Sequence, residues 1–160
     1  MKVEKIDHVG INVWDMEKAV KFFGDLFETE FGPLIVLEPS PMDLTERMGP
    51  LGLDIAEPGA PDKEAARILK HKGEGLNGLS IKVKNIEEAD AEMKARGIRE
   101  IWRGDFEWGG VPIKVIGYHP KDTFGVMIEL TEYEGELHPL MTGSRDDVVR
   151  FTFEMPSAGK

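Results

Sequence analysis

The pattern of hydrophobic and polar residues along the chain occurs twice. Residues 6–13 read IDHVGINV, and seventy positions later residues 76–83 read LNGLSIKV. In each run apolar residues alternate with small or polar ones, which is the period of a strand with one buried face. Such a repeat predicts two copies of one structural unit.

A helical pattern follows each of these strands. Asp15 is a candidate N-cap before Ala19, Phe22 and Leu26, and Asn85 is a candidate N-cap before Ala89 and Met93. Each helical pattern is followed by short β-branched runs that glycine and proline interrupt. Both copies therefore read as βαβββ.

These elements predict an α+β fold, in which two tandem βαβββ units form a curved mixed sheet around one cleft. We expect a single domain over residues 1–132, with the first repeat at 4–58, a connector helix at 61–73 and the second repeat at 75–132. Residues 133–160 belong to neither copy. Within them residues 148–153 read VVRFTF, which fits one further strand or a frayed or partner-bound tail.

Composition narrows the function classes. The 160 residues include 30 acidic and 20 basic side chains, for a net charge of -10, so a nucleic-acid partner is not expected. No apolar run approaches a membrane span, and the chain has no cysteine for disulfides or thiolate chemistry. We expect a cytoplasmic protein without a membrane partner.

The repeat also points to candidate metal ligands. His8 corresponds to Gly78 in the two opening strands, and Glu57 is matched with Glu129 in the two closing strands. Imidazole and carboxylate groups that meet in one cleft bind divalent ions. The alternatives are a structural histidine at position 8 and solvated glutamates at the strand ends.

Three stretches of the chain resemble one known family. They are DHVGI at 7–11, KHKGEGL at 70–76, and HPKD at 119–122 followed by GVMIEL at 125–130. Over about residues 4–132 the chain is similar to the vicinal oxygen chelate superfamily, which includes glyoxalase I, extradiol dioxygenases, bleomycin-resistance proteins and methylmalonyl-CoA epimerase. The epimerase-like branch is the most similar.

The resemblance implies a divalent metal ion (Co, Mn, Mg, Ni or Zn) held by His8, Glu57 and Glu129. The family's third ligand is normally a histidine, and here that position is Gly78, which has no donor. The site is therefore expected to work with three protein ligands, to take its third ligand from Asn77, His119 or another group, or to hold no metal. We expect Gly78→His to restore the missing ligand.

The resemblance further implies a metal-dependent isomerase or lyase that stabilises an enolate of a small carbonyl or acyl-thioester substrate. Glu129 is then both ligand and acid/base, and Glu46 or Glu38 serves the opposite face of the substrate. A CoA substrate would also need a basic patch, for which Lys82, Arg103, Lys114 and Lys121 are candidates.

Two other functions remain open at this point. One is a non-catalytic protein that binds a small molecule, like the bleomycin-resistance branch, and the other is a catalyst whose glutamates act without metal. A homodimer is expected by analogy with the superfamily.

Overall fold

Each half of the chain folds as the repeat predicts, with a helix after its first strand. The computed structural model describes residues 1–38 and 43–156. Its strands are β1 (Val3–Asn12), β2 (Leu34–Leu37), β3 (Leu44–Gly49), β4 (Leu53–Pro58), β5 (Gly75–Val83), β6 (Glu100–Trp108), β7 (Val111–Tyr118), β8 (Met127–Tyr133) and β9 (Val148–Phe151). Its helices are α1 (Met16–Phe27), α2 (Glu64–Lys72) and α3 (Ile86–Ala95), with short 3₁₀ turns at Pro120–Asp122 and Pro139–Met141.

The nine strands form one mixed sheet in the order β6-β7-β8-β5-β1-β4-β3-β2-β9. The two units meet where β1 and β5 run antiparallel at its centre. In each unit the first strand pairs in parallel with the last, β1 with β4 and β5 with β8. The predicted α+β class, with two βαβββ units in one curved sheet, is confirmed.

Helices α1 and α3 cover the outer face of the sheet, one for each unit. Asp15 and Asn85 accept hydrogen bonds from the third backbone N–H of their helices, so both predicted N-caps are present. Val20 of α1 packs in a cluster with Ile55, and Ala89 of α3 packs with Leu130. In the part of the chain that the structure describes, no helix is long and apolar enough to cross a membrane.

The inner face of the sheet carries the largest apolar cluster. It draws residues from distant strands, including Ile35 of β2, Met48 of β3 and Val115 of β7. Because β-strand side chains alternate between faces, these residues are separated from the helix-facing clusters by the sheet itself. The cleft predicted between the two units lies on this inner face.

The C-terminal extension nearly closes the sheet. Strand β9 pairs in parallel with β2, and its Val149 and Phe151 are buried. Three residues beyond the end of β9, Glu154 exchanges two backbone hydrogen bonds with Arg103 of β6, at 2.9 and 2.8 Å. Of the two alternatives for this segment the structure contains the added strand, and residues 157–160 lie outside the described residues.

Candidate active site

A cavity of about 80 Å³ on the inner face of the sheet is lined by His138 of the C-terminal extension and by four ionisable side chains from the strands. These four come from different strands: His8 from β1, Glu46 from β3, Asp54 from β4 and Glu129 from β8. Sequence reasoning named three of these four residues. The structure brings these three together, and it adds Asp54.

Strand register explains why these side chains share one cavity. Cα partners in neighbouring strands point to the same face of a sheet, and Ser80 of β5 is paired both with His8 and with Glu129. On the other side of β1, Gly10 is paired with Asp54. The His8, Asp54 and Glu129 side chains therefore emerge on the inner face within three neighbouring strand pairs.

His8 is the centre of this group. Its Nδ1 lies 3.0 Å from Oδ2 of Asp7, and its Nε2 lies 3.5 Å from Oε1 of Glu129 and 4.0 Å from Oδ2 of Asp54. Asp7 is itself buried and accepts a hydrogen bond from the Tyr133 hydroxyl at 2.5 Å. The imidazole is thereby held by Asp7 with its Nε2 directed at two carboxylates.

The pKa values of the site follow from burial and crowding of charge. Burial raises the pKa of Asp54 to about 7, against the lowering effect of His8. Burial also raises the pKa of Glu129, although His8 and a 2.7 Å hydrogen bond from the Ser80 hydroxyl oppose it. The pKa of Glu46 rises well above 4.5, because this carboxyl is buried beside Asp54 and Glu129.

The pKa values of His8 and of its hydrogen-bond partner Asp7 shift in the directions that favour an ion pair between them. Burial by itself lowers the pKa of His8, but the hydrogen bond to Asp7 and the nearby carboxylates outweigh it and raise this pKa. Burial would raise the pKa of Asp7, yet its hydrogen bonds with His8 and Tyr133 lower it to about 2. At neutral pH, Asp7 is ionised while the carboxyls of the cavity compete for protons.

Glu57, predicted to face the cleft as a metal ligand, lies on the opposite face of β4. Its Oε2 accepts a hydrogen bond from the backbone N–H of Met16, at 2.7 Å, and so caps the start of α1. In the second unit Glu132 accepts the equivalent bond from Ile86 at the start of α3, at 2.6 Å. The repeat therefore matches Glu57 with Glu132 rather than with Glu129.

Asp54 is the true counterpart of Glu129. In the parallel pair β1 and β4, Gly10 is the partner of Asp54, and in β5 and β8 the corresponding Ser80 is the partner of Glu129. Residues three apart on a strand point to opposite faces, which separates Asp54 from Glu57. The sequence does carry a signal for this match. Ile55 and Leu130 are equivalent buried residues of the two units, and the residue before each of them is the inward carboxylate, Asp54 or Glu129.

Gly78 is a point of close approach between strands. A Cβ atom at this position would lie 2.5 Å from the backbone oxygen of Met127. The expectation that Gly78→His restores a ligand is therefore corrected, because the backbone of β8 occupies the space that the side chain would need. The neighbouring inward position, Ser80, supplies a hydroxyl to Glu129 instead.

Three further ionisable residues lie away from the cavity, namely Glu38, His71 and His119. Glu38 forms an exposed ion pair with Arg150, at 3.2 Å, whereas Glu46 lines the cavity. His119 accepts a hydrogen bond from the backbone N–H of Lys121 in a turn. His71 is an exposed residue near the end of α2.

His138 is a cavity residue that the sequence pattern did not indicate. It lies in the C-terminal extension, 2% exposed, with its ring edge-on to His8 at 5.8 Å between centroids. Burial lowers its pKa to about 3, so this imidazole is neutral at physiological pH. No spacing pattern in the sequence signalled it, because its approach depends on how the extension folds back.

The donor chemistry of the site suits a divalent metal ion. His8 offers an imidazole nitrogen, Asp54 and Glu129 offer carboxylate oxygens, and Oδ1 of Asp54 is buried without a hydrogen-bond partner. Within residues 1–38 and 43–156, no three His, Asp or Glu side chains are oriented so that together they could hold a metal ion. An ion would therefore require Asp54 and Glu129 to turn toward His8.

Several known proteins resemble the chain. A sequence model of the Glyoxalase/Bleomycin resistance protein/Dioxygenase superfamily matches residues 7–116. The mitochondrial methylmalonyl-CoA epimerase of Mus musculus is 28% identical over 133 residues, which cover 82% of this chain and 74% of the relative. The Bos taurus enzyme is 30% identical over 130 residues, which cover 80% of this chain and 74% of the relative.

Solved structures show the same likeness at the level of the fold. A variant of Streptomyces coelicolor methylmalonyl-CoA epimerase in complex with 2-nitronate-propionyl-CoA superposes with a TM-score of 0.67 at 23% identity. The match covers 82% of this chain and 98% of that one.

Proposed function

Because the chain belongs to the Glyoxalase/Bleomycin resistance protein/Dioxygenase superfamily, we propose that it is an epimerase-like isomerase or lyase that moves a proton at the carbon beside a carbonyl group. One observation carries the proposal. Glu46 and Glu129 enter one cavity from β3 and β8, two strands with three others between them in a curved sheet. Two carboxyl groups can thus address a bound carbon from different walls.

The proton transfer uses the raised pKa values of these two groups. Buried near each other, Glu46 and Glu129 favour a state in which one holds a proton and the other is ionised. The ionised carboxylate takes the α-proton: the C–H bond breaks, an O–H bond forms and the electron pair moves into an enolate. The protonated carboxyl then delivers its proton to the other face of the carbon.

His8 and its neighbours position the reacting group. The Asp7 carboxylate holds the imidazole, and Ser80 donates to Glu129, which limits the rotation of this carboxylate. His8, Asp54 and Glu129 are the residues that would hold a divalent ion, whose positive charge would stabilise the enolate oxygen. The expected metal dependence and the expected homodimer remain predictions of this proposal.

Deuterium exchange tests the proposal directly. The protein is incubated in D₂O with methylmalonyl-CoA and with a series of uncharged 2-methyl-branched acyl thioesters, and mass spectrometry follows deuterium at the α-carbon. We expect exchange above the protein-free rate for at least one substrate. Glu46→Gln and Glu129→Gln should each slow it by about 10²-fold or more, the usual contribution of a general acid or base.

A matched control is Glu57→Gln, which lies on the other face of β4 and should leave exchange near the wild-type rate. Absence of exchange with every member of the series overturns the proposal. In that case, binding of a thioester without exchange favours the non-catalytic binding protein. Exchange that survives a chelator shows that the carboxyl groups act without metal.

A further inference from the structure

The C-terminal extension supplies part of the wall of the cavity. His138, Leu140, Phe151 and Phe153 all line it, and all four lie beyond β8. Pairing of β9 with β2 and of Glu154 with Arg103 fixes this segment at both edges of the sheet. The extension thus decides how much of the cleft remains open.

Two aromatic stacks join the extension to β6. The rings of Trp102 and Phe153 lie 4.4 Å apart between centroids at 17°, and those of Phe106 and Phe151 lie 3.9 Å apart at 25°. Trp102 is 5% exposed and Phe151 9% exposed. Such stacked pairs stabilise the packing beyond the apolar area that they bury, so this part of the wall is a well-packed apolar surface.

The ionisable side chains that line the cavity are acidic, apart from the two histidines His8 and His138. Glu46, Asp54 and Glu129 face it, and among the described residues that line it there is no lysine or arginine. Any positive charge on His8 is already matched by the adjacent Asp7 and by Glu129.

None of the four cations expected to receive an anionic substrate is among the described residues that line the cavity, and two of them are committed elsewhere. Lys82 donates to the backbone oxygen of Gly135 at 2.5 Å and pairs with Glu4 at 3.2 Å. Arg103 donates twice to Glu100 at 2.6 Å. A free carboxylate on the substrate would therefore enter beside like charges and leave water without gaining a cationic side chain.

Size restricts the substrate as well. The volume of about 80 Å³ is smaller than the ~150 Å³ cavity that holds a benzene molecule. Only the reactive end of a substrate, with a compact substituent, fits between the carboxyl groups and the aromatic wall.

We infer that this cavity selects uncharged carbonyl compounds with a compact apolar acyl group, and that Phe151 and Phe153 of the extension determine this specificity. The inference rests on the proposed function for the role of Glu46 and Glu129. It departs from the relatives, whose names specify methylmalonyl-CoA, a substrate with a free carboxylate.

A matched pair of probes tests the inference by binding alone. Ethyl 2-methylacetoacetate and monoethyl 2-methylmalonate share one skeleton, and they differ in a neutral methyl ketone against an ionised carboxylate. Calorimetry or ligand-observed NMR at pH 7.5, on the protein as purified and again after treatment with a chelator, measures the two dissociation constants. We expect the neutral probe to bind about tenfold tighter or more, because the carboxylate loses its hydration next to like charges.

Variants of Phe153 test whether the aromatic wall of the cavity determines binding of the neutral probe. Phe153→Ala should weaken binding of the neutral probe by about tenfold, since it removes the stack on Trp102. Phe153→Leu, which keeps an apolar side chain, should lie between Phe153→Ala and the wild type and guards against simple misfolding. Phe124→Ala is the control, because Phe124 is fully exposed in a turn and should not change either constant.

A gain-of-function variant gives a second readout. Met127→Lys places an ammonium group on a residue that lines the cavity, and it should improve binding of the anionic probe relative to the neutral one. The inference is overturned if wild-type protein binds the anion as tightly as the ketone, or if Phe153→Ala leaves both constants unchanged. Deuterium exchange of methylmalonyl-CoA together with tight binding of the anion would overturn the inference and leave the proposed function intact.

Discussion

At the scale of single residues, the site depends on which face of β4 a carboxylate occupies. Asp54 faces the cavity and Glu57 faces α1, although only three positions separate them. A strand has a side-chain period of two, so an error of one position in the repeat alignment reverses the face. The matching of Glu57 with Glu129 was displaced by three positions, an odd number that reverses the face in the same way, and the backbone N–H of Met16 is the partner that Glu57 has instead.

Metal binding distinguishes the matching of Asp54 with Glu129 from the matching of Glu57 with Glu129. We expect Asp54→Asn and Glu129→Gln each to weaken Co²⁺ or Mn²⁺ binding by more than about tenfold, because a carboxylate ligand is lost. Glu57→Gln should bind as the wild type does. Isothermal calorimetry on the three variants measures this, and equal weakening by Glu57→Gln and Asp54→Asn would contradict the register described here.

The pH dependence of stability should report on Asp54. Its pKa is about 7 in the folded protein and 3.8 in an unfolded chain, so the folded state holds this proton more tightly. The resulting stabilisation is complete below pH 3.8 and is lost as the pH rises through about 7. Asp54→Asn cannot ionise, so its Tm relative to wild type should increase between pH 5 and pH 8, by about 5 °C.

Calorimetric melts at the two pH values provide the measurement. Glu57→Gln serves as the matched control, because its carboxyl group lies outside the cavity. A Tm difference between Asp54→Asn and wild type that does not change with pH would mean that Asp54 ionises as it does in water.

At the scale of the elements, each unit uses the same device to begin its helix. Asp15 and Asn85 cap α1 and α3 by their side chains, and Glu57 and Glu132 reach across from the last strand of each unit to the first N–H of the helix. Free N–H groups at a helix start favour a negative charge. The two cross-element caps therefore tie each helix to its own sheet.

Loss of a cross-element cap should cost stability without affecting the cavity. We expect Glu57→Ala and Glu132→Ala each to lower the free energy of unfolding by about 1 kcal/mol, the usual cost of a lost cap. Glu57→Gln, which retains an acceptor oxygen, should lose less. Urea unfolding monitored by circular dichroism measures these values, and a stability unchanged in both alanine variants would show that water replaces the caps at no cost.

At the scale of the whole molecule, the extension joins the two edges of the sheet. Edge strands expose unpaired backbone groups, and here β9 covers β2 while Glu154 pairs with β6. The same segment buries Val149 and Phe151 over the inner cluster. Closure of the sheet and completion of the cavity are consequently one structural event.

A shortened chain tests this dependence. Ending the chain after Asp147 removes Val149 and Phe151 from the inner cluster, each worth about 1.5–3 kcal/mol when buried. We expect Tm to fall by about 10 °C and binding of a fluorescent apolar dye to rise. A shortened protein that melts like the full chain would indicate that the extension adds little to the core.

Much of the fold follows from local pattern, because period and caps are local properties. The alternation in residues 6–13 and 76–83 predicted the two central strands, and Asp15 and Asn85 predicted the helix starts that the structure contains. His8, Glu46 and Glu129 could be named from the repeat and the family resemblance. The lack of a donor at Gly78 was also readable, since glycine has no side chain.

The tertiary structure decided what depends on register and on distant contacts. Pairing of Gly10 with Asp54 selected the carboxylate that joins His8, and the approach of Met127 to Gly78 closed the position to a larger side chain. The return of the extension added His138, Phe151 and Phe153 to the cavity. These contacts link residues far apart in the chain, and the energy that selects them comes from packing rather than from any local sequence preference.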